Sequence, residues 1–128
     1  QGMKIFIIIL VLLSTFASTK RLGSEQGARF LSVIPEMPLM PSLAENLDAA
    51  VVFDGPSGRI VEAFANGAVS SDAVYAFYAA SLPQLGWTSS SEGIYRRDAE
   101  ILKIHVFPAG VGYAGTSVEF ILRPVIGK

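Results

Sequence analysis

His105 is the only histidine in the 128 residues. Imidazole is the side chain best placed for general acid–base work near neutral pH. It stands in Leu102-Lys103-Ile104-His105-Val106, where apolar and polar residues alternate. That alternation puts His105 and Lys103 on the polar face of a strand, where a lone imidazole reads as a surface residue. Glu119 and Arg123 hold polar positions in the next alternating run, Ser117 to Arg123, and are candidate cross-strand neighbours. The four together form a small polar patch. A hydrolase centred on His105 is the catalytic reading on offer, and it needs an acidic partner and a nucleophile within hydrogen-bond reach.

Other chemistry has less support. Gly110 to Gly115 reads GVGYAG, a literal G-x-G-x-x-G. A dinucleotide loop must run from a strand into a helix, whereas these glycines lie between two expected strands and read as a hairpin. Ser89-Ser90-Ser91 is not set in a nucleophile elbow. Asp54, Glu62 and Asp72 have no spacing that demands a carboxylate pair, and turn and cap roles account for Asp54 and Asp72. No His-x-His or Glu-x-x-His spacing suggests a metal. The chain has no cysteine, which excludes disulfides, thiol catalysis, iron–sulfur ligation and a lipid-modified cysteine. No catalytic residue, cofactor or metal site is therefore assigned, and the chain is read as not an enzyme.

Val33 to Ser42, VIPEMPLMPS, has Pro35, Pro38 and Pro41 three residues apart. That period matches polyproline II. One reading is an arm that docks in a partner's groove through Pro35, Met37, Pro38, Leu39, Met40 and Pro41. The other is an extended segment that lays Met37, Leu39 and Met40 on its own domain.

The elements that would hold these residues follow from pattern. Ser71 to Leu82 is the clearest helix: Ser70 or Ser71 caps it, and Val74, Phe77, Tyr78, Ser81 and Leu82 form one stripe. Pro83 and Gly86 stop it. Ser42 to Leu47 suggests a short helical turn. Ala49–Asp54 and Arg59–Asn66 read as a hairpin about Gly55-Pro56-Ser57-Gly58. Trp87–Ser91, Ile94–Arg97, Glu100–Phe107 and Ser117–Arg123 read as strands, with one polar face where period two is clear. The fold class expected is α+β, an antiparallel sheet in the order β-β-α-β-β-β-β with one main helix packed on one face.

Ahead of this domain stands Met3 to Ser18, MKIFIIILVLLSTFAS, with nine unbroken apolar residues from Ile5 to Leu13. Gln1-Gly2 before it reads as a cloning scar. A short apolar run ending in small residues is the pattern of a cleaved signal peptide. An uncleaved anchor is the second reading, although the segment is shorter than the roughly 20 residues of a usual span. A buried strand is the third. The division expected is 1–2 scar, 3–18 signal or anchor, 19–42 tether and Pro-spaced arm, and 43–128 the α+β domain. A net charge of −1 with scattered Lys and Arg argues against nucleic acid as a partner and against a polybasic membrane patch.

Phe77-Tyr78 and Leu82-Pro83-Gln84-Leu85-Gly86-Trp87 read FY-x3-LPQLGW. Upstream stand Pro38-Leu39-Met40-Pro41 and Phe53-Asp54-Gly55-Pro56-Ser57-Gly58-Arg59-Ile60. The combination resembles small exported proteins of alphaproteobacteria that carry no assigned function, over roughly Ile34 to Pro124. The resemblance implies a bacterial envelope setting and no catalytic residues.

These features lead to one expectation: an exported, non-catalytic binding or accessory module at the periplasmic face of the inner membrane. Its partner would be an envelope or membrane protein, with membrane contact through residues 3–18. Its candidate surfaces are the arm and the patch of Lys103, His105, Glu119 and Arg123. The alternative is a carrier holding a small apolar ligand between helix and sheet. The hydrolase around His105 is third.

Overall fold

The alternating runs and the capped apolar stripe become a sheet and a helix lying across it. The structure is a computed structural model and describes residues 29–108 and 115–126. Its elements are β1 (Arg29–Phe30), β2 (Pro38–Leu39), β3 (Ala44–Glu45), β4 (Val51–Gly55), β5 (Gly58–Gly67), α1 (Ser71–Ser81), β6 (Thr88–Ser91), β7 (Ile94–Arg97), β8 (Glu100–Phe107) and β9 (Thr116–Pro124). Strands β6 to β9 form an antiparallel meander, and β5 pairs antiparallel with β9. Strands β3 and β4 lie end to end along the other side of β5. The architecture is α+β, with α1 packed on one face of the sheet.

Helix α1 starts where Ser70 Oγ accepts a hydrogen bond from the Ala73 amide, 3.1 Å away. Asp72 in the first turn faces the positive end of the helix dipole. At the far end a 3-10 turn, Leu82–Leu85, stops at Gly86, whose φ of 94° is left-handed and open to glycine at little cost. The buried stripe of α1 and this turn is Val74, Tyr78 and Leu82, all wholly buried. They meet the inner sheet face of Val61, Ala63 and Ala65 on β5, Val118, Phe120 and Leu122 on β9, and Leu102, Ile104 and Val106 on β8.

Eleven residues make a helix about 16 Å long. Six strand positions side by side span about 24 Å. The helix cannot cover that face alone, and Leu31, Ile34, Met37, Leu39 and Leu43 complete the same core. Of the two readings of the arm, this is the one that lays Met37, Leu39 and Met40 on its own domain. Strands β1 and β2 pair antiparallel, Arg29 with Leu39 and Phe30 with Pro38. The Leu31 amide donates to Met37 O and the Met37 amide to Ile34 O, each at 2.9 Å. Val33 to Ser42 is thus a folded-back turn and strand, not a free polyproline arm. Burying an apolar side chain the size of Leu or Met is worth about 1.5–3 kcal/mol, which a solvated arm would forgo. The packed unit includes Arg29 to Ser42, ahead of the expected boundary at residue 43.

Ser42 to Leu47 also differs from the helical turn expected. Ala44 and Glu45 pair with Asn66 and Ala65, and a 3-10 turn follows at Leu47–Ala49. The free side of β5 offers ladder partners there, and the Asn46 amide donates to Phe64 O at 2.7 Å.

Tyr78 joins the layers. Its hydroxyl donates to Pro38 O at 2.7 Å and accepts from the Met40 amide at 3.1 Å. Its ring meets Phe120 edge-on, with centroids 5.4 Å apart. Burial pushes the Tyr78 pKa up, so the hydroxyl remains a donor. Y78F keeps the ring but leaves two backbone groups unpaired. It is expected to cost about 1–3 kcal/mol in urea unfolding. A loss within error of zero would show that the hydroxyl does not tie the segment down.

Candidate functional site

The second face of the sheet has no helix over it among the described residues. Period two sends Lys103, His105 and Phe107 of β8 to this face, with Ser117, Glu119, Ile121 and Arg123 of β9 beside them. The register sets His105 directly opposite Glu119, Lys103 opposite Ile121 and Arg123 opposite Ile101. Three of the four patch residues, Lys103, His105 and Arg123, are exposed, and Glu119 is partly covered. They share a face without forming a bonded cluster. The ion pairs of the described residues lie elsewhere, among Glu36, Arg59, Arg97 and Glu100.

The patch gains an apolar wall that period two alone did not single out. The His105 ring stacks on Phe107, centroids 4.5 Å apart and planes 13° from parallel. On β5, Phe64 stands opposite Glu119. Between Phe64 and Phe107 lies a depression of about 100 Å³, bordered also by Asn46, Asn66 and Ser117. Two aromatic walls and three uncharged hydrogen-bonding groups suit a small neutral moiety, such as one side chain of a bound protein. Asn46 reaches this border because of the β3 turn, which the sequence did not reveal.

The arm residues separate into two groups. Met37, Pro38 and Leu39 are buried and contribute to the core, so a partner cannot reach them in the folded chain. Pro35 and Pro41 are exposed, and Met40 is partly covered. Glu36, between the prolines, binds the Arg59 guanidinium, which also grips Glu100 through Nε at 2.8 Å and Nη2 at 3.0 Å. Arg97 lies 3.3 Å from Glu36 and donates to Leu85 O at 3.2 Å. Its guanidinium sits 4.5 Å above the Trp87 ring. Among the described residues, Trp87 Nε1 is buried without an acceptor. The two acids and two arginines balance, and they pin the segment to the ends of β5, β7 and β8.

Where the carrier reading places its ligand, Val74, Tyr78, Leu82 and Phe120 are wholly buried, and the Tyr78 and Phe120 rings are in contact. Gly115, last of the G-x-G-x-x-G, has φ 114°, and a Cβ there would lie 2.2 Å from Gly67 O. Its role is close packing at the root of the β8–β9 connection; Ala109 to Ala114 lie outside the described residues, as does the 3–18 segment. Among the described residues, no set of three or more His, Cys, Asp or Glu stands together as metal ligands, and no helix is long and apolar enough to cross a membrane. No family model, curated protein or solved structure matches the chain.

The hydrogen bond from Arg59 holds the Glu36 carboxyl below its ordinary value of 4.5. A depressed folded pKa adds stability above the unfolded value and loses it as the pH falls through the folded one. At pH 7, E36Q is therefore expected to cost below about 1 kcal/mol, since the pair is part-exposed. The gap between wild type and E36Q in denaturant midpoint should hold at neutral pH and close as the pH drops below about 4.5. A gap that does not change with pH would contradict the assignment.

Proposed function

We propose that the chain is an exported, non-catalytic binding module that acts through protein contacts at the periplasmic face of the inner membrane. The observation that carries this reading is the sheet face that bears no helix among the described residues, where the Phe64–Phe107 depression adjoins the His105–Glu119 pair. An exposed Phe107 and a half-buried Phe64 beside mixed charges are the composition of a recognition surface rather than of a solvated sheet face. Lys103 and Arg123 add positive charge at one end of it, suited to an acidic segment of an envelope or membrane protein. The export-like segment and the resemblance to small exported proteins support the compartment. With Met37, Pro38 and Leu39 buried, the reading leans on this face rather than on the arm.

Photo-crosslinking residues placed at Phe107 and at Ala80, on the exposed side of α1, test the reading in the full chain within its native cells. Crosslinks to an envelope protein are expected from position 107 and not from position 80, and H105A/E119A should reduce them without lowering the unfolding midpoint. Equal labelling at both positions, or a cytoplasmic location of the chain on fractionation, would overturn it.

A further inference from the structure

The two edges of the sheet are built differently. One edge is β6, Thr88-Ser89-Ser90-Ser91, short and polar, with a register shift between Ser89 and Ser91. Such features discourage strand addition. The other edge includes β4, whose Val51, Val52 and Phe53 are 50%, 56% and 57% exposed. Its ladder with β5 runs unbroken from Val51–Glu62 to Gly55–Gly58, and among the described residues nothing pairs with its outer side. No Lys, Pro or bulge interrupts the strand. An apolar edge without these guards is a template for another strand.

We propose that the strand it accepts is β4 of a second copy of this chain, antiparallel about a two-fold axis at Val52. Charge selects the direction. Asp54 is the one charged residue of β4, and a parallel pair would set it against its own counterpart. The antiparallel pair centred on Val52 puts Val52 against Val52, Val51 against Phe53 and Asp54 against Ala50. Val51, Val52 and Phe53 then meet one another, each Asp54 faces only a small Ala50, and the two carboxylates lie far apart. A contact from β4 to β6 would be head-to-tail and would propagate without closing; the two-fold pair closes on itself. A five-residue edge offers a small contact beside the roughly 800 Å² per partner of a standard interface. Association is accordingly reversible and concentration-dependent. It leaves the Phe107 face free and does not depend on the function proposed above.

The cysteine-free chain allows a direct test. Directly opposed residues bring Cβ atoms to about 4.5–5.5 Å, at the edge of disulfide reach. In the full chain under mild oxidant, V52C should form a covalent dimer. V51C and F53C should each give little alone and a dimer when mixed. S90C, on β6, carries the same N-terminal segment and scores chance encounters. A V52C yield no greater than that of S90C would overturn the proposal, as would a V51C and F53C mixture no better than either alone.

Discussion

The fold rests on a shortage of cover. A helix of eleven residues cannot shield the inner face of a sheet six strand positions wide, and the segment before β3 makes up the difference. Tyr78 is the point at which the two covers meet. Its ring packs on Phe120 beneath it, and its hydroxyl satisfies one carbonyl and one amide of the neighbouring segment. A buried backbone group without a partner is costly, so this one hydroxyl makes the folded-back path of Pro38 to Met40 compatible with burial. The ionic group of Glu36, Arg59, Arg97 and Glu100 secures the turn of the same segment from outside.

Much of this frame was legible in the residues. Leu102, Ile104 and Val106 declare which side of β8 is inside, and Ser70, Pro83 and Gly86 mark where the helix begins and stops. The helix stripe was also readable, because Val74, Tyr78 and Leu82 recur at the helical period. The segment around Pro38 was not. Proline every third residue describes an extended chain equally well in a partner's groove or on its own core, and only the area left open by α1 decides. The contacts of Glu36 with Arg59 and of Arg59 with Glu100 were invisible for another reason: they span 23 and 41 positions, and nothing local records such pairings.

The candidate site was half legible. Alternation predicted that Lys103, His105, Glu119 and Arg123 share a face, and the register places His105 against Glu119. Alternation also places Phe107 on that face, yet its stacking with His105 depends on side-chain geometry. Phe64 was hidden by β5, whose sequence alternates weakly: Ala63 and Ala65 are small enough to pass for either face. The depression between the two phenylalanines needs strands far apart in sequence to lie side by side.

Strand order carries a consequence for how the molecule is assembled. The last of the described strands, β9, sits between β5 and β8 and is hydrogen-bonded to both. Until it is in place, the chain holds two separate pieces, the β4–β5 hairpin and the β6–β8 meander, each with an open side that later becomes the middle of the sheet. A nascent chain lacking β9 has no route to the native core, since Val118, Phe120 and Leu122 are missing from its centre. Folding is thereby deferred until β9 has been synthesised, and the step that completes the sheet joins residues 49 to 61 positions apart, a pairing whose loop-closure entropy makes it slow.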